Sequence, residues 1–477
     1  MIATHAFAQN ALPSSLELAF KKVGVPANGL SMVVMPADGG PATLLLSPDI
    51  AVSPASTIKL VTTLVAMEEL GPTFRWKTQI LSTTAIKQTG LPSDLNGGQN
   101  GELLGDIYLR GGGDPNLTWD KLGLMLRTLR GQGIRNIIGD IVLDRHYFQP
   151  DRLDADIVQF DEKPDTYYNV IPDALLINAN LSGFEFESTS DNIKILSFPP
   201  MAQVIIKNQL RLNNSPCASW ENIWIPPTVE VDNNRTTVTL IGNFPRNCKA
   251  IKYTNIFDRN RYIEHLIQQL WQEIGGTWIG HVKDGFTPAT ASILVERQSD
   301  TLADTIKIIN KQSDNVMARL LYLSLGAEFS EAKNYATTLQ AADAHVRQWF
   351  SKKGITDEGL ILENGSGLSR TEKITARQLG KVLQLASHSN WFPEFASSMP
   401  IVAVDGTMRK RLKDSPVEGR ARIKTGSLKN TLSIAGYIKD SHEKLWIVVA
   451  IINDEKAGKA RPAMDELILW ISGDQGK

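Results

Sequence analysis

The sequence is poor in cysteine, balanced in charge and free of long hydrophobic runs. Two cysteines and seven histidines among 477 residues, with no close metal-ligand spacing, argue against a zinc site and against metal catalysis. Fifty basic residues stand against 51 acidic ones, a net charge of −1, which argues against a nucleic-acid or polybasic membrane-binding protein. No run approaches the about 20 apolar residues that span a bilayer. What is present, 42% apolar and 21% charged residues, is typical of a globular protein with several domains.

The N-terminus and the two cysteines bear on the cellular compartment. Ala6-Phe7-Ala8 has the A-x-A form of a signal-peptidase site, but no basic region or long apolar region precedes it. We expect a trimmed export signal here, and the alternative is an accidental match in an alanine-rich segment. Cys217 and Cys248 lie in a segment that is predicted to be β-rich, where a disulfide would contribute a few kcal/mol in an oxidising compartment. Two unrelated buried thiols are the alternative.

Hydrophobic periodicity and turn residues divide the chain into three parts. The first part predicts a helix, two strands and a second helix, at 15–23, 31–36, 42–47 and from Ser56 onward. The middle part predicts two strands around a helix, a β-rich segment and another helix, at 103–110, 119–131, 134–143, 179–244 and 261–274. The last part predicts a strand, a helix, three antiparallel strands with short loops and a closing helix, at 292–297, 302–310, 421–428, 432–439, 445–453 and 462–472. The fold class is therefore α/β of the α+β kind.

Ser56-Thr57-Ile58-Lys59 is the first element that could carry chemistry. A serine at the start of a helix has its hydroxyl near unpaired backbone N–H groups, which favour developing negative charge. Lys59 lies on the same helical face, and a buried lysine with a lowered pKa can accept the serine proton. The spacing alone is weak evidence, because an N-cap serine with a surface lysine fits it equally well. Ser330 and Lys333 repeat the same spacing.

Ser313-Asp314-Asn315 is the second element. It is predicted in a turn between two helical segments, from which short polar side chains can project. Ser190-Asp191-Asn192 repeats the three letters in the β-rich segment, and such residues are more often part of a turn or cap than of a catalytic site.

Lys424-Thr425-Gly426-Ser427 is the third element, and it interrupts an otherwise apolar strand. Gly426 would let a substrate backbone approach the strand edge, while Thr425 and Ser427 alternate in side-chain direction with their neighbours. Lys424 could bind a substrate carboxylate. The alternative is an edge strand that a lysine protects from aggregation.

The three elements occur in the order S-x-x-K, S-D-N and K-T-G, which is the set found in penicillin-binding proteins and class A β-lactamases. Coincidence accounts poorly for an ordered set in which each member has its expected helix, turn or strand context. The chain also resembles class C, type-4 penicillin-binding proteins, the D-alanyl-D-alanine carboxypeptidase/endopeptidase family. The segments that carry this resemblance, besides the long stretch between the first and second elements, are 112–115, 139–144, 168–176, 364–370 and 404–411.

The resemblance implies a penicillin-binding or serine β-lactamase-like transpeptidase domain, in which helices flank an antiparallel sheet and a long insertion splits the domain. We expect the catalytic domain at 1–85 and 290–477. The insertion would form an α/β domain at 86–178 and 245–289, with a small β-rich domain nested in it at 179–244.

The resemblance further implies a peptidoglycan DD-peptidase that uses no metal or organic cofactor. Ser56 would attack the carbonyl between two D-amino acids of a stem peptide, and Lys59 would accept its proton. The backbone N–H groups of Ser56 and Ser427 would form the oxyanion hole. The remaining groups would handle the substrate, with a proton relay at Ser313, an amide contact at Asn315, and carboxylate contacts at Lys424, Thr425 and Ser427.

The expected partners are peptidoglycan stem peptides and β-lactam antibiotics, which would acylate Ser56 and stay attached. The family uses an acidic residue of the insertion to bind the diamino-acid ammonium. Asp161 is the candidate, Asp165 is its rival, and a solvated loop carboxylate is the alternative. The closing helix has one apolar face, which predicts packing on the last sheet and at most loose membrane association. An exported, periplasmic enzyme is the resulting expectation.

Two alternative functions stay open at this point. A serine β-lactamase is disfavoured because the insertion is unlike class A and no E-x-x-L-N-type base element follows Ser313-Asp314-Asn315. A cell-wall-binding or sensor protein could keep the elements without turnover. The preference between carboxypeptidase and endopeptidase activity is also open, because both reactions break a bond after a D-alanine with the same groups.

Overall fold

The computed structural model describes residues 11–87, 101–155, 160–233 and 235–473, and the chain forms two units. The split unit consists of Met1–Arg75 and Asp300–Lys477, and the inserted unit consists of Trp76–Ser299. The junctions lie outside the predicted ones, at 85 and 290, because the first and last strands of the inserted unit pair with each other. Both strands therefore belong to the insertion and not to the domain that it splits.

In its described residues, from 11 onward, the first segment of the split unit contains two helices and three strands. These are α1 (Ser14–Lys22), β1 (Leu30–Pro36), β2 (Leu44–Leu46), β3 (Ala51–Val52) and α2 (Lys59–Glu69). The helix predicted from Ser56 begins as a 3₁₀ turn, Ala55–Ile58, and continues as α2. Every residue of α2 from Lys59 to Met67 is buried, so this helix runs through the interior of the unit.

The inserted unit contains most of the strands in the part of the chain that the structure describes. Its elements are β4 (Lys77–Ser82), β5 (Gly101–Leu104), β6 (Ile107–Arg110), α3 (Trp119–Gly131), β7 (Ile134–Ile138), β8 (Ile141–Asp144), β9 (Ser182–Ser188), β10 (Ile193–Phe198), β11 (Val204–Asn213), β12 (Thr228–Asp232), β13 (Arg235–Pro245), β14 (Lys249–Thr254), α4 (Arg259–Glu273), β15 (Thr277–Ile279), β16 (Val282–Asp284) and β17 (Ser292–Gln298).

The sequence predicted one strand at 103–110 and one at 134–143, and both predictions are wrong. Each segment forms two strands, which belong to two different sheets. β5 and β7 belong to the sheet β15-β7-β5, whereas β6 and β8 belong to the sheet β16-β8-β6-β4-β17. A Gly-Asp pair stands at each break, Gly105-Asp106 and Gly139-Asp140. The backbone N–H of Asp140 donates to Asp106 Oδ1 at 2.8 Å, so a side chain replaces the carbonyl that a continuous ladder would offer.

The β-rich part of the inserted unit contains two three-stranded sheets, β10-β9-β14 and β11-β13-β12. Cys217 and Cys248 form a disulfide with their Cα atoms 5.5 Å apart, which confirms the predicted bond. β14 pairs with β9 although it lies beyond residue 244. The nested domain at 179–244 stays a prediction.

The second segment of the split unit contains six helices and four strands among the described residues. These are α5 (Leu302–Gln312), α6 (Asn315–Ala327), α7 (Thr338–Lys352), β18 (Ile374–Thr375), α8 (Ala376–His388), α9 (Phe392–Ser398), β19 (Ala421–Leu428), β20 (Thr431–Lys439), β21 (Leu445–Asn453) and α10 (Arg461–Ser472). The three strands and the closing helix lie where the sequence predicted them.

A five-stranded antiparallel sheet, in the order β19-β20-β21-β1-β2, is the frame of the split unit. Met32 and Val34 of β1 belong to one core with α1 and α10. Val33 and Met35 face Gly380 of α8 instead. Because side chains alternate along a strand, the two sets of helices cover opposite faces of the sheet. The predicted packing of the closing helix on the sheet is confirmed, and none of the described helices has the length and hydrophobicity of a transmembrane span.

Candidate active site

Ser56 and Lys59 lie together at the start of α2. Lys59 Nζ donates to Ser56 Oγ at 3.1 Å and to Asn315 Oδ1 at 2.6 Å, and it also donates to the backbone carbonyl of Ser366. Three acceptors therefore surround the ammonium group, and one of them is the hydroxyl of the candidate nucleophile.

Burial changes the proton affinity of Lys59. Its side chain is fully buried, and desolvation lowers the pKa of Lys59 to about 7 although the attraction of Asp314 and Glu372 raises it. A lysine with this pKa is neutral in a large share of molecules near neutral pH. It can therefore take up a proton from a neighbouring hydroxyl.

The second element forms the junction between α5 and α6. Ser313 ends α5 in the left-handed conformation, with φ 60° and ψ 40°. Asp314 caps α6 by accepting the backbone N–H of Met317 at 2.9 Å, and Asn315 is the first residue of that helix. This sharp junction directs Ser313 towards the third element, where Lys424 Nζ donates to Ser313 Oγ at 2.8 Å.

Lys424 is the second fully buried lysine of the site. Its ammonium group also donates to the carbonyl of Thr425 at 2.8 Å. Burial holds the pKa of Lys424 well below its usual value, and repulsion from Lys59 lowers it further. Each lysine thus donates to one hydroxyl of the site, Lys59 to Ser56 and Lys424 to Ser313, and its direct partners are neutral oxygens.

Gly426 lies where β19 meets the turn that carries Ser56. A Cβ atom at Gly426 would lie 2.3 Å from Ser433 Oγ, 2.9 Å from the Pro54 carbonyl oxygen and 2.9 Å from the Ser56 nitrogen. The close approach expected at this glycine is therefore made by the chain's own backbone. Without a side chain here, the turn can lie directly against the strand.

Thr425 and Ser427 lie on the outer edge of β19. Thr425 Oγ1 donates to Thr407 Oγ1 at 2.7 Å, and Ser427 is exposed. The backbone N–H of Ile423 donates to the Pro400 carbonyl, on the side of β19 away from β20. Because N–H directions alternate along a strand, the N–H groups of Thr425 and Ser427 point to that same side.

The sequence did not identify two partners of this site, the carbonyl of Ser366 and the hydroxyl of Thr407. Both lie in segments that carried the family resemblance, at 364–370 and 404–411, but no role was assigned to them there. A backbone carbonyl has no residue signature, so only the resemblance could have drawn attention to Ser366.

Asp161 lies in the inserted unit and is half-buried. It accepts hydrogen bonds from Tyr168 Oη at 2.7 Å, from Asn169 Nδ2 at 2.6 Å and from the N–H of Lys163 at 3.0 Å. Burial raises the pKa of Asp161, but these hydrogen bonds outweigh it and lower the pKa overall. The residue is thus an ordered carboxylate, and its role in recognition stays a prediction.

The repeats of the S-x-x-K and S-D-N motifs lie in other secondary-structure elements than the candidate site residues. Ser330 is exposed and Lys333 lies in a short 3₁₀ turn, Ala332–Asn334, so the pair does not begin a buried helix. Ser190-Asp191-Asn192 lies in the exposed turn between β9 and β10. Position in the fold therefore separates the candidate elements from their repeats.

Fold and site together define a serine enzyme of the penicillin-binding class. The D-Ala-D-Ala carboxypeptidase 3 (S13) family matches the chain over residues 15–472, and the chain belongs to this family. It is accordingly a serine-type DD-peptidase, a hydrolase.

Individual relatives agree with this assignment. The chain is 28% identical to the D-alanyl-D-alanine carboxypeptidase DacB of Haemophilus influenzae over 446 residues, which cover 91% of this chain and 86% of the relative. It is 26% identical to the D-alanyl-D-alanine carboxypeptidase of Actinomadura sp. (strain R39) over 427 residues, which cover 87% of this chain and 76% of the relative. The crystal structure of penicillin-binding protein 4 from H. influenzae has the same fold, with a TM-score of 0.74 at 23% identity over 96% of this chain and 100% of that one.

Proposed function

We propose that this DD-peptidase cleaves peptidoglycan stem peptides after D-alanine through an acyl-enzyme on Ser56, and that β-lactams acylate the same serine. The observation that carries the proposal is the hydrogen bond from Lys59 Nζ to Ser56 Oγ, made by a lysine whose pKa burial lowers to about 7. The cleaved bond leads either to a terminal D-alanine or to the diamino acid of a cross-link.

In the proposed reaction Lys59 accepts the Ser56 proton as the hydroxyl attacks the substrate carbonyl. The N–H groups of Ser56 and Ser427 stabilise the resulting oxyanion. Contact of Gly426 with the Ser56 backbone, and the outward direction of the Ser427 N–H, support this pairing. Water then releases the acyl group.

Three further side chains complete the proposed mechanism. Ser313 passes a proton to the leaving amine, which its hydrogen bond with Lys424 supports. Asn315 holds the substrate amide. Lys424, with the hydroxyls of Thr425 and Ser427, orients the terminal carboxylate.

The relatives support the same substrates and inhibitors. Two are named D-alanyl-D-alanine carboxypeptidases, and the penicillin-binding protein 4 of H. influenzae has been crystallised with a β-lactam. A periplasmic location is part of the proposal, and the disulfide fits an oxidising compartment. Asp161 is proposed to bind the ammonium group of the diamino acid.

The test compares wild type with Ser56→Ala, and uses Ser330→Ala as the matched control because Ser330 has the same S-x-x-K spacing. A fluorescent penicillin should label wild type and Ser330→Ala but not Ser56→Ala. Mass spectrometry of digested sacculi and of a free pentapeptide should show product from the first two proteins only. Identical products from Ser56→Ala would contradict the proposal, and rapid release of the label would indicate a β-lactamase instead.

A further inference from the structure

Glu372 is a fully buried carboxylate that the mechanism above does not use. Its two oxygens accept four backbone N–H groups from one loop. Oε1 accepts from Glu363 at 3.2 Å, from Asn364 at 3.0 Å and from Gly365 at 2.8 Å, and Oε2 accepts from Gly367 at 2.9 Å. Glu372 therefore holds four of the five backbone N–H groups of the 363–367 loop, and the side chain of Asn364 accepts the fifth, that of Ser366, at 3.0 Å.

The 363–367 loop contacts α2 at the residues that follow Ser56. The carbonyl of Ser366 accepts from Lys59 Nζ, and the carbonyl of Gly365 accepts from Thr62 Oγ1 at 2.7 Å. Because Thr62 lies about one helical turn beyond Lys59, the loop is attached to the helix at two successive positions. Displacement of the loop would remove an acceptor from the ammonium group of Lys59.

The same loop also lies against the backbone of the Ser56 turn. Gly367 has φ 81°, and a Cβ atom there would lie 2.1 Å from the Ala55 carbonyl oxygen and 2.7 Å from the Ser56 nitrogen. The backbone of Gly367 therefore lies directly beside the N–H that is proposed for the oxyanion hole. One loop borders both the Lys59 ammonium and the Ser56 N–H.

We propose that Glu372 is a positioning residue for acylation. Its carboxylate fixes the 363–367 loop so that the Ser366 carbonyl holds Lys59 Nζ beside Ser56 Oγ, and its negative charge sets the pH range in which Lys59 can accept a proton. The inference rests on the roles proposed above for Ser56 and Lys59.

The charge of Glu372 shifts the pKa of Lys59 in a definite direction. A carboxyl group that only accepts hydrogen bonds on both oxygens has the pattern of the ionised form. Burial raises the pKa of Glu372 above its usual value although the backbone N–H groups lower it, and the charge of the ionised form raises the pKa of Lys59. Removing that charge should lower the pKa of Lys59 further. Among the described residues, the titratable groups that interact electrostatically with Glu372 or Lys59 include Asp314, Tyr322, Glu363 and Lys424.

Three variants separate charge, reach and general effects of substitution. Glu372→Gln keeps the shape and removes the charge, while Glu372→Asp keeps the charge and shortens the side chain. Glu358→Gln is the matched control, because Glu358 is an exposed carboxylate outside the loop. The measurement is the second-order rate constant of acylation by a fluorescent penicillin between pH 5 and pH 9, as about this range brackets the lowered lysine pKa.

For Glu372→Gln we expect the plateau rate to fall about tenfold, because a lost acceptor leaves buried N–H groups unpaired and loosens the loop. The acid limb of the pH–rate profile, where the rate falls as Lys59 becomes protonated, should move to lower pH by about half a unit. The reason is that the negative charge of Glu372, which stabilises the Lys59 ammonium, is absent. Glu372→Asp should lower the plateau and leave the acid limb in place. Glu358→Gln should behave as wild type.

A Glu372→Gln variant with the wild-type plateau and acid limb would overturn the inference. So would a lower plateau with an unmoved limb, since that result indicates a merely structural role. If Glu372→Gln does not fold, Glu372→Asp decides, and a wild-type rate in that variant overturns the inference. Failure of wild type to react, or labelling that survives Ser56→Ala, would instead contradict the proposed function.

Discussion

The two units both bury charged side chains, but they do so with opposite consequences. In the inserted unit Asp173 is fully buried, with Arg145 Nε 3.4 Å from its Oδ2 and Arg259 Nη1 donating to the same oxygen. Burial alone would raise the pKa of Asp173, yet the two guanidinium groups outweigh it and lower the pKa. The Asp173 carboxylate is therefore held in its ionised form, and both of its oxygens already have partners within the unit.

In the split unit the two buried lysines of the site, Lys59 and Lys424, have neutral direct partners. Lys59 meets hydroxyl, amide and carbonyl oxygens, and Lys424 meets a hydroxyl and a carbonyl. Burial is therefore not offset by contact with a carboxylate, and it lowers the pKa of both groups. A buried charge paired with opposite charges stays ionised, and the loss of one partner destabilises the fold, whereas a buried lysine paired with neutral oxygens has a proton that it can exchange.

Lys59→Met should have the largest effect, because it removes the buried lysine that is proposed to accept the Ser56 proton. Without a proton acceptor, acylation by penicillin should fall about a thousandfold, whereas the wild-type rate should rise as the pH passes through about 7. Lys333→Met is the control, because it removes a lysine with the same spacing from a short surface turn. Acylation by Lys59→Met within tenfold of wild type would contradict the assignment.

The stability of Lys59→Met should move in the opposite direction to its activity. The folded pKa of Lys59, about 7, lies below the usual value of 10.5, so the folded state resists charging this lysine. That cost is fully present below pH 7 and disappears as the pH rises towards the unfolded value. The variant should therefore gain most in the free energy of unfolding below pH 7, measured by chemical denaturation.

Asp173→Asn should destabilise the inserted unit. It leaves Arg145 and Arg259 buried without their carboxylate, and we expect the free energy of unfolding to fall by about 3–5 kcal/mol. The folded pKa of Asp173 is lowered, so its contribution is present above the unfolded pKa and is lost as the pH falls through the folded one. Denaturation at several pH values should show a difference from wild type that shrinks in acid.

The acylation rate per folded molecule should not change in Asp173→Asn. Asp140→Asn is the matched control, because Asp140 pairs with Lys283 at 2.8 Å near the surface and its loss should change stability little. A slower acylation rate in folded Asp173→Asn would show that the buried pair also serves the reaction.

The parts of the site that the sequence predicted are those with local geometry. Helical spacing alone places Lys59 on the face of Ser56, and the strand pattern places Lys424 within an apolar β19. The partners that could not be predicted depend on the path of the chain. The Ser366 carbonyl that accepts from Lys59 lies 307 positions further along the chain, in a loop whose backbone N–H groups donate to Glu372.

The same limit explains the error in the inserted unit. An apolar run such as 103–110 has the composition of one continuous strand, and only Gly105-Asp106 interrupts it. Whether such a pair ends a strand depends on the neighbouring chain, here on the N–H of Asp140 that donates to Asp106. Hydrophobic periodicity is a property of a single segment. It therefore predicts where strands lie, but it does not predict where the chain passes from one sheet to another.

Asp161→Asn should have the smallest effect, and it tests whether the inserted unit also recognises substrate. We expect kcat/KM to fall about two- to fivefold for a peptide with a free diamino-acid ammonium, since a partly exposed ion pair contributes up to about 1 kcal/mol. The same peptide with that amine acetylated should be cleaved equally by both proteins, because it offers no charge to bind.

Asp165→Asn is the matched control for this measurement, since Asp165 is the rival acidic residue and its Oδ2 already accepts from Thr254 Oγ1 at 3.3 Å. A selective loss in Asp165→Asn alone would transfer the role to that residue. Equal losses on both peptides would mean that Asp161 supports its loop through Tyr168 and Asn169 and does not contact substrate. If neither variant distinguishes the two peptides, then neither carboxylate binds the diamino-acid ammonium, and the proposed recognition role of Asp161 is contradicted.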